Sequence, residues 1–379
     1  KNSIIQDITY VAVVKKYKDG LPDELKFTSQ PPMYPDYLME FRSMIRKDGS
    51  TWPGKYPFSP VVHNAYRAIP DPSEGSGVTI DGGKPETWPL ITKTGINWTN
   101  DIPGRFAKMP GLSVKYLQDR GLRAEADRAA MLKTLCFIYY MQNELGMKDW
   151  SVDNRQDFGG WFGNAWQVSF QLKDFSNFLK YFPPFPYVRE SRRIAGVKTM
   201  TVTDILRDPQ IRRTQKSIPD SVALGEYPVD IHGVHDSQYL DKGLGETAEM
   251  IPAWEEGLGG RFQIPAGALI PESVDGLLAA EKNISVSRVV NGSTRLQPVT
   301  MLTGQAAGAM AALAVENNVQ PRALRPIDIQ SALWTAKDSI SLFNFEDVPD
   351  YSASWPGVEA AMNFGYMEPL TEKVFGVYD

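Results

Sequence analysis

The chain has 379 residues, enough for two domains or one large one, and its 42% apolar and 22% charged content is that of a protein able to bury a core. A net charge of −5 and a pI near 5.5 argue against a general nucleic-acid binder, which needs a basic face. The single cysteine, Cys136, excludes an internal disulfide framework, and three scattered histidines (His63, His232 and His235) make no strong metal site, so no metal is expected.

The chain starts at Lys1, and residues 1–7 lack the charged-then-apolar pattern of a secretory signal, so the sequence reads as processed, trimmed or partial, with the compartment open. The β-branched and aromatic run 8–14 predicts a strand, followed by a turn at Lys18-Asp19-Gly20. Residues 28–121 are rich in Pro, Gly and aromatics (Trp52, Trp88, Trp98) and sustain no helical period, which suits functional loops or a cover over a neighbour. A helix is predicted over 123–145 from the spacing of Ala126, Ala130, Ile138 and Met141, with Gly146 as its C-terminal cap. Cys136 falls in its apolar stretch and reads as a small buried hydrophobe. A basic knot follows at 189–193, then a strand-like 199–202, with Thr201 or Thr203 capping a short helix through Leu206. Residues 277–280 predict a buried strand, 298 onward a helix, and 328–337 one more helix.

The stretch 296–315 has no charged residue and approaches the length of a membrane span. Its many alanines, with Gly304 and Gly308, favour close backbone packing inside a protein over contact with lipid, so no membrane span is expected. Physically, an apolar strand delivers the chain to a polar loop at 291–297, which opens this helix. Pro298 sits in the first turn, where its missing N–H is harmless. Small residues before it let a ligand approach the backbone, and the helix start offers free N–H groups to an electron-rich atom. A buried alanine-rich helix with a polar lead-in satisfies the same pattern.

Several blocks resemble a known family. Ile264-Pro265, Leu269-Ile270-Pro271, Ile284-Ser285, Gly292-Ser293-x-Arg295-x-Gln297-Pro298 and Gly304-Gln305-Ala306-Ala307-Gly308 stand in one order. Upstream lie Pro186-Tyr187-Val188-Arg189-Glu190-Ser191-Arg192-Arg193-Ile194 and Tyr227-Pro228-x-Asp230-x-His232, with a looser match at 94–101. Over roughly 91–328 this is similar to the large FAD-dependent oxidoreductase family common in bacterial genomes, some of whose members carry the label xanthan lyase. The resemblance implies an α/β fold: a mixed-sheet substrate domain plus the C-terminal part of an FAD-binding, Rossmann-like domain of the glutathione-reductase type. The expected divisions are 1–260 for the substrate or cap domain, 261–320 for the FAD-binding part and 321–379 for a C-terminal helical cap.

Two departures stand out. The family's Ala-Gly-Arg-type turn is Ala280-Glu281-Lys282-Asn283 here, which puts a carboxylate near the flavin segment. No Gly-x-Gly-x-x-Gly opens a strand–helix unit, although that turn holds the FAD pyrophosphate, so a missing or separate N-terminal FAD-binding polypeptide is expected as a partner. The resemblance implies a cofactor site at Asn291, Gly292, Ser293, Arg295, Gln297, Pro298 and Gly304, and hydride transfer to FAD from a small molecule, with a sugar-derived alcohol as first choice. His232 is the candidate base, oriented by Asp230, and Arg189 and Arg192 are candidate catalytic cations. A flavin-free binding or structural protein that keeps the fold is the alternative.

Overall fold

The computed structural model describes residues 4–44, 92–97, 99–104, 111–156, 172–208, 210–233, 239–250 and 260–376. His63, the tryptophans at 52, 88 and 98, and His235 lie outside the described residues. The chain divides into two compact units, 3–188 and 189–379, and the expected divisions at 260 and 320 fall inside the second.

In the first unit the predicted strand over 8–14 is broken in two. Strands β1 (Ile4–Ile5), β2 (Ile8–Thr9) and β3 (Val13–Lys16) precede helix α1 (Tyr34–Met44). The break sits at Tyr10, whose ring is buried and whose carbonyl accepts from Asn100 Nδ2 (2.8 Å) and Thr134 Oγ1 (3.2 Å) instead of a neighbouring strand. Strand β4 (Lys93–Gly95), strand β5 (Leu112–Ser113), helix α2 (Arg120–Asn143) and strand β6 (Trp150–Val152) follow. The three-stranded sheet runs β4-β3-β6, all antiparallel, with Val14 opposite both Thr94 and Val152.

Helix α2 starts three residues before the predicted 123 because Asp119 caps it, accepting from the amides of Gly121 (2.7 Å) and Leu122 (3.0 Å). Its buried residues include Ala130, Met131, Leu135 and Phe137, and Phe137 meets Phe41 of α1 edge to face at 5.2 Å. Cys136 is fully buried there and burial pushes its thiol up, which makes it inert packing. Two ion pairs are buried in this unit, Lys133–Glu40 (2.8 Å) and Lys93–Asp153 (2.6 Å). Helix α3 (Ser176–Leu179) and strand β7 (Tyr187–Val188), paired with β2, complete it.

The second unit opens with helix α4 (Val202–Ile205), held by a capping box between Thr201 and Asp204. Strands β8 (Ser221–Gly225) and β9 (Phe262–Pro265) pair antiparallel with a bulge between Ser221 and Ala223. Helices α5 (Arg288–Thr294), α6 (Gln297–Glu316), α7 (Pro326–Thr335) and α8 (Trp355–Phe364) follow. Helix α6 lies on β8 and α7 through Val299, Thr303, Ala306, Ala307, Met310 and Ala314. The architecture is α/β with small antiparallel sheets. The expected mixed sheet is absent among the described residues, where parallel pairing is limited to the isolated bridges Met200–Val286 and Arg213–Arg261.

Two expectations are corrected here. Residues 277–280 form no strand: only the Ala279 amide bonds to a neighbour, Leu269 O at 2.8 Å, and Leu277 is 48% exposed. The polar lead-in at 291–297 is not a loop, since residues 288–294 wind into α5 before the chain breaks at Leu296. Ser287 caps α5 by accepting from the Val290 amide (3.2 Å), and this local signal outweighs the glycine at 292.

Candidate active site

Helix α5 brings the matched segments around 190, 230 and 290 together. Gly292 helps make this possible: a Cβ there would stand 3.1 Å from both Asp230 O and Ile231 Cγ1, so a side chain would require the 230–231 segment to shift by a few tenths of an ångström. One turn later Arg295, buried, donates through Nη2 to Asp230 O (3.0 Å) and to Asp230 Oδ2 (2.9 Å). The Asp230 carboxylate in turn holds His232 Nε2, at 3.1 Å from Oδ1 and 3.3 Å from Oδ2. Arg189 is buried in the same field, and its charge acts on Asp230. Burial alone would push the Asp230 carboxyl up; His232, Arg295 and Arg189 overcome this and hold it well below the usual carboxylate range. The aspartate is thus a fixed anion that pins the imidazole through Nε2.

The basic knot divides in three. Arg189 serves Asp230, as described. Glu190, also buried, collects Tyr239 Oη (2.6 Å), Arg193 Nη1 (3.1 Å) and Arg288 Nε (3.2 Å), with the Arg288 guanidinium 3.9 Å from the Tyr239 ring centre. Burial, first, and the Glu190 charge keep the Tyr239 phenol protonated, so it remains a donor. Arg192 is exposed. Tyr239 and Arg288 escaped the sequence reading because neither lies in a patterned motif, and their convergence on Glu190 exists only in three dimensions.

Of the expected cofactor residues, Asn291, Gly292 and Ser293 are buried within α5, Arg295 is buried on Asp230, Gln297 and Pro298 are exposed at the start of α6, and Gly304 is half-buried about two turns further on. That start has no side-chain cap and no acidic residue in its first turn. The positive end of the twenty-residue helix dipole therefore has no acidic side chain of its own first turn to offset it. Ser293 Oγ is buried with no hydrogen-bond partner among the described residues.

Residues 43–333 match the model of a family described as FAD dependent oxidoreductase, well over half of the chain. The chain belongs to that family. No curated protein and no solved structure matches it. FAD is the cofactor of the FAD-dependent oxidoreductases, and the residues at the α5–α6 junction fit such a group: an uncapped helix start suits an electron-rich ring edge, and Ser293 offers an unused hydroxyl. Glu281, the carboxylate expected near the flavin segment, is exposed and sits 3.2 Å from Lys282 Nζ, which neutralises it. Helix α6 is long and apolar enough to cross a membrane.

Proposed function

We propose that this chain supplies the flavin-facing and substrate-facing part of an oxidoreductase that removes hydride from a small, sugar-derived alcohol. The observation that carries this reading is the Arg189–Asp230–His232–Arg295 cluster, assembled from three separate segments and joined through Arg295 to the uncapped start of α6. When bound, FAD accepts the hydride. His232 takes the hydroxyl proton of the alcohol, while Asp230, on Nε2, fixes the ring and stabilises the charge it gains. Arg295 holds Asp230 by both carboxylate and carbonyl, so the imidazole direction is set by a buried guanidinium rather than by a loop. Arg189 keeps Asp230 ionised. The α6 amides at Gln297 and the Ser293 hydroxyl would hold the ring edge, with Asn291, Gly292, Pro298 and Gly304 shaping the close approach.

The region 261–320 completes a Rossmann-like nucleotide domain whose glycine turn is carried by a polypeptide segment outside these residues, and 1–260 and 321–379 act as substrate domain and cap. The test is direct. The protein purified with its associated polypeptides should show flavin absorbance, and a panel of sugar alcohols with a dye acceptor should reveal turnover. His232→Gln should lower turnover per bound flavin by about a hundred- to ten-thousand-fold with flavin retained. Unchanged turnover in that variant would remove His232 from the mechanism.

A further inference from the structure

The end of helix α2 opens a cavity that the candidate active site does not use. It is built wholly from the first unit, holds about 350 Å³, and is lined by residues from 21–30, the last turn of α2 and Lys148. That volume is at the small end of the range for ligand pockets, about 300–1,000 Å³. Phe27 and Tyr139 give it an aromatic wall, meeting edge to face at 5.2 Å, and Phe27 is held in place by stacking on Phe178 at 4.3 Å. Among the described residues no carboxylate lines it.

Two amides of this lining have their direction set by the fold. Gln142 donates through Nε2 to Trp150 O (2.7 Å) and Asn143 through Nδ2 to Tyr139 O (3.0 Å). Neither side-chain oxygen accepts a hydrogen bond among the described residues, so each amide presents a fixed acceptor. Donors come from two lysines. Lys148 is exposed and has no ion pair among the described residues, while Lys26 is bonded to Asp23 at 2.6 Å and keeps ammonium protons to spare. Thr28 and Ser29 add hydroxyls that can give or take.

An anion gains little here despite the lysines. The C-terminal end of a twenty-four-residue helix carries partial negative charge with no basic residue in its last turn, and the two ammonium groups offset it. The same ammonium groups repel a cation. A purely apolar ligand would strip water from the amides and lysines without replacing those bonds. Fixed acceptors, mobile donors and an aromatic wall match a neutral ring whose hydroxyls both give and take hydrogen bonds and whose C–H groups are apolar. We propose that this cavity binds one neutral sugar ring, with Gln142 and Asn143 accepting from its hydroxyls, Lys26 and Lys148 donating to them, and Phe27 and Tyr139 meeting its C–H face. The site uses neither FAD nor His232, so it stands whether or not the chain is an oxidoreductase.

The probes are methyl glucoside, methyl galactoside and methyl mannoside, titrated into the full chain and read by saturation transfer to the sugar protons and by calorimetry. At least one should bind with a millimolar Kd, and Lys148→Ala should weaken it about tenfold, the loss of one charged hydrogen bond. Ser29→Trp should abolish binding by filling the cavity. Both variants should melt with the parent, because both side chains are exposed and neither has a partner to lose among the described residues. Inorganic phosphate is the competing probe: phosphate binding that Ser29→Trp removes, with no glycoside bound, overturns the proposal in favour of an anion site. Glycoside binding that survives Ser29→Trp unchanged places the sugar elsewhere, the candidate active site included, and overturns it too. So does a chain that binds none of the three glycosides.

Discussion

Replacing Arg295 with lysine tests how the candidate site is held. The guanidinium makes two charge-assisted bonds from one nitrogen, at 3.0 Å to the Asp230 carbonyl and 2.9 Å to its carboxylate. Hydrogen bonds to charged groups contribute about 1.5–3 kcal/mol each, and an ammonium on a shorter, flexible stem retains one of the two. The Asp230 side chain is 31% exposed, and solvent screening moves the loss toward the lower end, about 1–2 kcal/mol. For a unit of this size that corresponds to roughly 2–8 °C in melting temperature. Arg295→Met should cost more, about 3 kcal/mol, because it leaves Asp230 half-buried without its main cation. The assay pairs thermal unfolding with hydrogen exchange over 227–232, so that a local loosening is separated from a global one. Turnover per bound flavin should fall in both variants, since the His232 ring loses its anchor. If both variants melt within about 0.5 kcal/mol of the parent and exchange at 227–232 is unchanged, the arginine does not position this site.

Three further outcomes are expected. Gly292→Ala should destabilise the second unit by about 1–3 kcal/mol through its contact with the 230–231 segment, whereas Gly308→Ala should be neutral or stabilising by up to about 1 kcal/mol; chemical denaturation of the pair checks the contrast. Asp230 has a depressed pKa, so its contribution is present above the ordinary value of about 3.9 and is lost as pH falls through that value toward the folded one; Asp230→Asn should flatten this acid limb in a pH series of melts. In the first unit, burial raises and Lys93 and Arg155 lower the Asp153 carboxyl, with a net depression of the same sign, and Lys93→Met should cost about 3–5 kcal/mol while Lys93→Met with Asp153→Leu recovers most of it.

The elements that could be read from sequence are those whose signals are local. The period of α2, the proline and apolar run of α6, the capping threonine of α4 and the start of α7 all depend on neighbours within a few residues, and each helix lies within a few residues of its predicted place. Strand reading failed where partners decide. Residues 8–14 look like one strand, yet Asn100 and Thr134 donate to the Tyr10 carbonyl, and a chain cannot announce a donor some 90 or 124 positions away. Residues 277–280 have the composition of a buried strand, yet among the described residues only the Ala279 amide finds a backbone partner, Leu269 O, while the Ala280 carbonyl accepts from Thr303 Oγ1.

The site shows the same division in a sharper form. His232, Asp230 and Arg189 were visible as residue types with suitable chemistry, and their geometry adds that one carboxylate joins all three charges. Arg295 carries two meanings. In the sequence it belongs to the segment that touches the cofactor, and in the structure it is turned inward, bonded to Asp230, with only its backbone left near the start of α6. A close helix contact and a positioning bond therefore share one short stretch: Gly292 lets α5 lie against the 230–231 segment, while Arg295 spends its side chain on Asp230. That sharing couples the two functions mechanically. A change that moves α5 must disturb the helix start and the imidazole together, so variants of Gly292 should alter flavin retention and proton transfer in parallel, whereas variants of His232 should alter proton transfer alone.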